Sequence, residues 1–389
     1  MKLVVPCEPH EGENRVAITP EAATKLIKLG LDVAVESHAG QAATYSDSAY
    51  QAAGATVFNS SDLTSQLGSA DVVATVRPLE SDRAGLLKKS ALTVSFLSPT
   101  ANGEQIKALA AAGVTSLSFE LVPRISRAQS MDALTSQALC AGYRATLIAA
   151  ERAPKFFPML MTAAGTIPPA KVLVLGAGVA GLQVMATAKR LGAVVSAYDV
   201  RSSSADEVKS MGATFIDLGL DALEGAGGYA REMGEDRARA QQDALKSYVS
   251  ESDIVITTAA VPGRRAPLLI TSEMMSDMKP GSVLVDLAAE TGGNIQGSIA
   301  GEDVDINVAG GHITVVGCKD LPSQIATHAS KLYAQNIVSL LSLFTAEGTV
   351  APNLDDEVVA GSAVIFNGEV RNAMARETLG LTPLAQDGD

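Results

Sequence analysis

The sequence contains no tryptophan, few aromatic residues and only three cysteines among its 389 residues. Cys7, Cys140 and Cys318 lie far apart, which argues against a disulfide framework and against a zinc site of the C-x-x-C type. The four histidines form no H-x-x-x-H pair, so the sequence predicts no metal site. A net charge of −13 and 4% aromatic residues argue against a nucleic-acid partner, because such a partner is bound by basic and stacking side chains.

The sequence also lacks any long hydrophobic run, although 47% of its residues are hydrophobic. No apolar stretch reaches the roughly 18 uninterrupted residues of a membrane-spanning helix, so we expect no direct insertion into a membrane. The first apolar run is short and lies between Lys2 and Glu8, and we therefore predict a first strand there and not a signal peptide.

The most informative segment is a glycine motif that follows an apolar run at 171–175. Gly176, Gly178 and Gly181 have the G-x-G-x-x-G spacing, and Asp199 ends a second apolar run 18 residues after Gly181. This context predicts a dinucleotide site in which the glycines admit a pyrophosphate and the acid binds ribose hydroxyls. Asp199 favours NAD(H) as the cofactor, whereas Arg201 is the one contrary sign, because arginine there accepts a 2′-phosphate.

Short apolar runs alternate with helical patterns along the chain, which is typical of parallel sheets covered by helices. The predicted strands are 2–6, 32–36, 72–76, 92–96, 115–119, 171–175, 194–198, 214–217, 254–257, 283–287 and 313–316. Long helical patterns occupy 130–157 and 322–344. We therefore predict an α/β fold of two doubly wound, Rossmann-like parallel-sheet domains joined by two long helices. The expected boundaries are 1–136 with 323–389 for a discontinuous first domain, and 137–322 for the dinucleotide-binding domain.

Arg124, Gln129 and Asp132 lie in the segment that opens the first long helix. These side chains have the groups that bind a nicotinamide carboxamide or its ribose. Asp132 and Ser130 are also ordinary capping residues for a helix start, and the spacing alone leaves both interpretations open.

Two further segments have an alternative of this kind, and a third has a single interpretation. Arg15 follows the first strand, where it is either a carboxylate clamp or a surface arginine. The polar insertion at 218–252 contains Tyr229 and is either a loop that closes over a site or an exposed connection. Ala260 belongs to a run of small residues after the strand at 254–257, where a nucleotide can lie close to the backbone.

Taken together, these motifs resemble one known family over nearly the whole chain. The segments that carry the resemblance are 124–132, 161–166, 176–201, 227–234 and 316–323. They are similar to the NAD(H)-binding component, domain I, of the proton-translocating NAD(P) transhydrogenases, where it occurs as a separate portion of the alpha subunit. The same fold also resembles alanine dehydrogenase.

The resemblance implies a role for each matching residue. Arg124, Gln129 and Asp132 would hold the nicotinamide end, with Thr135 where the family often has serine, and Tyr229 would lie in a mobile loop that closes over the nucleotide. The residues expected to bind NAD(H) are Arg124, Ile125, Ser126, Arg127, Gln129, Ala177, Gly178, Val179, Asp199, Val200, Arg201, Gly228, Gln241 and Ala260.

The resemblance also implies a reaction and its partners. The chain would transfer hydride from NADH to NADP⁺ held on a partner subunit, while membrane-spanning subunits translocate protons. It would be cytoplasmic, attached to the inner membrane through those subunits, and would form a homodimer through a hairpin at 159–169. The alternative is a soluble dehydrogenase similar to alanine dehydrogenase, but the segments 76–78 and 95–99 lack the lysine and histidine which that enzyme uses.

Overall fold

The computed structural model describes residues 1–223, 234–260 and 264–384. The chain divides into two compact units, Met1–Gln137 with Pro322–Asp389, and Ala138–Leu321. That each unit folds as an independent domain stays a prediction. None of the helices in these described ranges is both long enough and apolar enough to span a membrane.

The strands of the described residues are short and belong to two large sheets and two small hairpins. In chain order they are β1 (Lys2–Val5), β2 (Asp32–Glu36), β3 (Thr56–Phe58), β4 (Val72–Ala74), β5 (Leu92–Ser95), β6 (Thr115–Ser118), β7 (Leu160–Thr162), β8 (Gly165–Ile167), β9 (Lys171–Leu175), β10 (Val194–Tyr198), β11 (Thr214–Phe215), β12 (Ile254–Thr257), β13 (Val283–Asp286), β14 (Asp303–Val308), β15 (Gly311–Gly317), β16 (Thr345–Ala346), β17 (Thr349–Val350), β18 (Ala363–Phe366) and β19 (Glu369–Val370).

The helices alternate with these strands. In chain order they are α1 (Pro20–Lys28), α2 (Asp47–Ala52), α3 (Leu63–Ser69), α4 (Ser81–Ala84), α5 (Gly103–Ala111), α6 (Ala133–Arg152), α7 (Val179–Arg190), α8 (Ser204–Ser210), α9 (Glu235–Glu251), α10 (Ser272–Ser276), α11 (Ala326–Leu343), α12 (Glu357–Ser362) and α13 (Ala373–Thr378).

The first unit contains an eight-stranded sheet in the order β19-β18-β6-β5-β4-β1-β2-β3. Strands β1 to β6 are parallel, whereas β18 pairs antiparallel with β6 and returns the C-terminal part of the chain to this sheet. Helix α1 begins as its sequence predicts, because the Thr19 side chain accepts a hydrogen bond from the backbone N–H of Ala22 and Pro20 occupies the first turn.

The second unit contains a seven-stranded sheet in the order β11-β10-β9-β12-β13-β15-β14. All pairs are parallel except the one between β14 and β15. The central strands are apolar and buried, as parallel strands covered by helices on both faces must be. The strand order reverses between β9 and β12, and ligands of such sheets bind at the carboxyl ends of the strands at this point.

The predicted fold class is confirmed, with differences in its details. Helix α6 runs from the first unit into the second, and α11 follows a 3₁₀ segment at Leu321–Ile325. The sequence analysis missed β3, β14, β16, β17, β18 and β19, because these strands are short or alternate polar with apolar residues.

The interpretation of 218–252 as one loop or connection was wrong for its second half, which forms α9. This helix buries only Gln241, Leu245 and Val249, at a spacing of four residues. Because one of the three is polar and the rest of the segment is mostly polar, the sequence shows no clear apolar pattern of a helix.

Candidate functional site

The glycine motif forms a tight turn between β9 and α7. Gly176 has a φ of +107°, which favours glycine, and a Cβ atom there would lie 2.5 Å from Thr258 Oγ1. A Cβ atom at Gly181 would lie 1.9 Å from the carbonyl oxygen of Gly176. At Gly178, by contrast, a Cβ atom would meet no described atom within 4 Å. The first and third glycines therefore serve packing, whereas the second faces open space that a ligand can enter.

Helix α7 starts at this open space. Gly178 is its N-cap residue, no described side chain caps the helix, and its first turn contains no acidic residue. The first backbone N–H groups of a helix and its dipole attract anions, so the end of α7 suits a pyrophosphate. Ala177 beside it is buried, and Val179 is partly exposed.

Asp199 lies at the end of β10 and contacts two parts of the chain. Its Oδ2 accepts a hydrogen bond of 2.7 Å from the backbone N–H of Ala177, which ties it to the glycine turn. Its two carboxylate oxygens also accept hydrogen bonds from Nε and Nη2 of Arg201, at 2.9 Å each. The positive charge of Arg201 is therefore balanced by Asp199. Val200 between them is partly exposed.

Gln241 and Ala260, two residues expected at the nucleotide, differ in their surroundings. Gln241 is 2% exposed, and its Oε1 accepts a hydrogen bond of 3.1 Å from the hydroxyl of Tyr198. Ala260 is exposed just beyond the end of β12. Gly228 and Tyr229 lie outside the described residues.

The loop before α6 contains a 3₁₀ segment at Ser126–Met131. Within this loop Arg124, Ser126 and Gln129 are exposed, whereas Ile125 is partly buried and packs against the core of the first unit. The loop therefore exposes polar side chains to solvent immediately before the start of α6.

Asp132 and Thr135 form a pair at the start of α6. Asp132 Oδ1 accepts a hydrogen bond of 2.9 Å from the backbone N–H of Thr135, and its Oδ2 accepts one of 2.6 Å from the Thr135 hydroxyl. This is the geometry of a helix cap, so the capping interpretation holds for Asp132 whatever else it binds.

Arg127 forms an exposed ion pair within the first unit. Its Nη1 and Nη2 lie 2.9 and 2.8 Å from the two carboxylate oxygens of Asp356, and its Nε lies 3.3 Å from Glu357. Exposed pairs of this kind contribute only about 0–1 kcal/mol, so a bound anion can compete for the guanidinium.

Glu13 organises the charged residues at the carboxyl ends of the first unit's parallel strands. Its side chain is fully buried, with Oε2 at 2.6 Å from Arg15 Nη2 and 2.8 Å from Arg77 Nε. Burial alone would raise the pKa of Glu13, but hydrogen bonds and charge from Arg15, and the charge of Arg77, outweigh it and hold the pKa at about 2. Arg15 is thus a buried member of an ion-pair network, and its interpretation as a surface arginine was wrong.

Glu8 lies at the same edge and behaves in the opposite way. Burial raises its pKa to about 7, against hydrogen bonds from the backbone N–H groups of Val76 and Arg77. The pKa values of the two carboxylates are therefore shifted in opposite directions from their ordinary value.

The sequence analysis missed Glu13 and the residues that support the end of β12. Thr258 packs across the glycine turn, and Asp286 is buried at the end of β13. The available signal was an acid that ends an apolar strand, as at Val283–Asp286. Among the described residues no group of histidine, cysteine and acidic side chains is placed to hold a metal ion.

Known proteins match this chain over almost its full length. The family models for the N-terminal and the C-terminal domain of alanine dehydrogenase/PNT match residues 4–141 and 145–373. The first part of the NAD(P) transhydrogenase alpha subunit of Rhodospirillum rubrum is 46% identical over 380 residues, which cover 95% of this chain and 97% of that protein.

Solved structures agree with this assignment. A transhydrogenase structure from Sinorhizobium meliloti has a TM-score of 0.83 and 40% sequence identity, and covers 96% of this chain and 99% of its own. An L-alanine dehydrogenase structure has a TM-score of 0.79 at 23% identity, with 98% and 99% covered, which shows the shared fold. The resemblance inferred from the motifs is confirmed, and the chain belongs to the alanine dehydrogenase/PNT family.

Proposed function

We propose that this chain is the NAD(H)-binding subunit of a proton-translocating transhydrogenase. It takes hydride from NADH and delivers it to NADP⁺ bound on a partner subunit. The observation that carries the proposal is the full-length similarity to proteins named as the alpha subunit of NAD(P) transhydrogenase. Hydride transfer between nicotinamides needs no protein nucleophile, since the cofactor supplies the chemistry and the protein supplies orientation.

The residues of the second unit fit NAD(H). The open space at Gly178 and the start of α7 suit the pyrophosphate. Asp199 balances the charge of Arg201, which lowers the attraction for a 2′-phosphate and supports NAD(H) over NADP(H). The family resemblance supports roles for Arg124, Gln129 and Asp132 at the nicotinamide and for Tyr229 in closure.

The proposed partners are the NADP(H)-binding and membrane-spanning subunits, which would attach this chain to the cytoplasmic side of the inner membrane and translocate the protons. A second copy of this chain is a further proposed partner. Large apolar side chains around the hairpin β7–β8 support a homodimer, because an exposed apolar cluster usually marks an interface. The exposed members are Phe156, Met159, Met161 and Ile167.

The test is a stopped-flow measurement of hydride transfer. The chain loaded with NADH is mixed with the isolated NADP(H)-binding component of a transhydrogenase, and NADH oxidation is followed with NADP⁺ present. We expect fast transfer only with that component. A parallel reaction with pyruvate and ammonium tests the alanine dehydrogenase alternative, and NADH oxidation there would overturn the proposal, as would the absence of transfer to the NADP(H)-binding component.

A further inference from the structure

Asn294 is fully buried beside the end of β12 and uses its whole carboxamide in hydrogen bonds. Oδ1 accepts a hydrogen bond of 3.1 Å from the backbone N–H of Ala259, and Nδ2 donates to the Ala259 carbonyl at 2.8 Å. The second N–H of the same amide donates to the carbonyl of Pro267, also at 2.8 Å. An asparagine side chain has one acceptor group and two N–H donors, so all of them are engaged.

These bonds fix the backbone where β12 has ended. Ala259 lies two residues beyond the last residue of β12, and its N–H and C=O both bind one side chain in place of a neighbouring strand. The same amide also binds the carbonyl of Pro267. Ala259 and Pro267, which both follow β12, are therefore both held by Asn294. Ala260, one of the residues expected at the nucleotide, follows the fixed residue directly.

Asn294 is held in turn by Asp286. Asp286 is fully buried, and its Oδ2 accepts hydrogen bonds from the backbone N–H groups of Asn294 and Ile295, at 2.9 and 3.1 Å. Its Oδ1 accepts from the Ala288 N–H at 3.0 Å and from the Thr257 hydroxyl at 3.2 Å. A buried polar network in which each member is satisfied is rigid.

The network reaches the glycine turn through the residue next to Ala259. The hydroxyl of Thr258 lies 3.2 Å from the carbonyl oxygen of Gly176, so the end of β12 and the turn after β9 are in direct contact. These are the two strands between which the order of the sheet reverses, and a dinucleotide lies across that point.

We infer that Asn294 is a positioning residue for hydride transfer, which fixes the Ala259–Ala260 backbone against which the bound dinucleotide is oriented. The inference rests on the proposed function. Asn294 acts through the backbone and does not itself touch the nucleotide. Because a misplacement of about 1 Å costs a reaction roughly 100-fold in rate, loss of this support affects transfer more than binding.

The test compares Asn294→Ala with wild type in single-turnover hydride transfer to the NADP(H)-binding component at saturating NADH, together with the dissociation constant for NADH. We expect the transfer rate to fall at least tenfold and the dissociation constant to rise less than the rate falls. Asn294→Ser keeps a polar group that is too short to reach both carbonyls, and we expect the same effect on the transfer rate. This variant replaces Asn294→Ala in the test if the alanine variant does not fold.

Ser282→Ala is the matched control. Ser282 is also fully buried in the second unit, and its hydroxyl donates to the Ser252 carbonyl at 3.3 Å, at the amino ends of β12 and β13. This variant should lose thermal stability but keep the wild-type transfer rate. A rate within twofold of wild type in a folded Asn294 variant, or an equal loss of rate in Ser282→Ala, would overturn the positioning role. Absence of transfer in the wild-type protein would instead count against the proposed function.

Discussion

Arg201 donates two hydrogen bonds of 2.9 Å to Asp199, one to each carboxylate oxygen, so the two residues form a neutral pair at the end of β10. Replacing Asp199 by asparagine keeps an acceptor for the Ala177 N–H but removes the carboxylate that forms the ion pair with Arg201. We expect NADH to bind roughly tenfold more weakly and NADPH more tightly, since hydrogen bonds to charged groups contribute about 1.5–3 kcal/mol. Titration of both nucleotides by calorimetry measures this change. The double variant with Arg201→Ala should lose the gain for NADPH, and a gain that persisted there would contradict the explanation.

The second and third glycines of the turn offer a matched pair of substitutions. Gly178→Ala adds a methyl group into open space at an unstrained φ of −74°, so we expect an unchanged melting temperature and at least a tenfold weaker affinity for NADH. Gly181→Ala places the methyl group against the Gly176 carbonyl and should destabilise the second unit by about 3 kcal/mol. Urea unfolding and NADH titration separate the two effects. Equal NADH affinity in Gly178→Ala and wild type would be evidence that the pyrophosphate binds elsewhere.

Because Glu13 is a buried carboxylate, the unfolding free energy of the first unit should depend on pH. Glu13→Gln leaves Arg15 and Arg77 without their buried anion and should cost about 3–5 kcal/mol of unfolding free energy at pH 7. The folded pKa of about 2 lies below the ordinary 4.5, so the stabilisation is complete above pH 4.5 and is lost as the pH falls through 2.

The difference between Glu13→Gln and wild type should therefore shrink as the pH is lowered through that range, which urea unfolding at several pH values measures. Glu21→Gln, which changes an exposed partner of Lys25, is the control and should unfold like wild type. A constant difference from pH 7 to pH 2 would show that the charge of Glu13 is not the cause.

The exposed hairpin predicts the oligomeric state. Met161 is 79% exposed at β7, and Met161→Asp should shift a homodimer toward single chains because it places a charge in an apolar interface. Sedimentation velocity over a range of protein concentrations measures the shift. Met374→Asp, at an exposed position of the first unit, should leave the dimer intact. A wild-type protein that sediments as a single chain would refute the dimer.

Substitutions in the exposed loop before α6 test the role of this loop in hydride transfer separately from its role in NADH binding. Arg124→Ala and Gln129→Ala should each lower the hydride-transfer rate about tenfold, as expected for the loss of groups that orient the nicotinamide. NADH affinity and transfer rate are measured separately. Arg371→Ala removes another partly exposed arginine of the first unit and is the control. A wild-type transfer rate in both loop variants would contradict the proposed role of Arg124 and Gln129 at the nicotinamide.

Sequence patterns predicted those parts of the fold where local signals and packing agree. Thr19 and Pro20 mark the start of α1, and the apolar runs of β9, β10 and β12 have the predicted bounds, because buried parallel strands need continuous apolar residues. Helix α9 escaped notice because most of its residues are polar and only a narrow stripe is buried.

The site was predictable where it depends on backbone conformation and not where it depends on long-range contacts. The spacing of Gly176, Gly178 and Gly181 indicates the turn directly. The network of Asp286 and Asn294 joins the segment after β13 to Ala259, which lies 35 positions before Asn294. The ion pair of Glu13 with Arg77 joins residues 64 positions apart. The pattern of a single sequence does not reveal such pairings, because they join distant residues and leave no signal in the neighbouring sequence.

The antiparallel pairing of β18 with β6 also means that the sheet of the first unit needs residues that are synthesised after the whole of the second unit. The second unit is one continuous segment, Ala138–Leu321, so all of its strands have left the exit tunnel while the first unit still lacks Ala363–Phe366. During this interval the edge of β6 lacks its partner strand, which β18 supplies once it has been synthesised. Of the two units, the one whose synthesis begins first is therefore the later to complete its sheet.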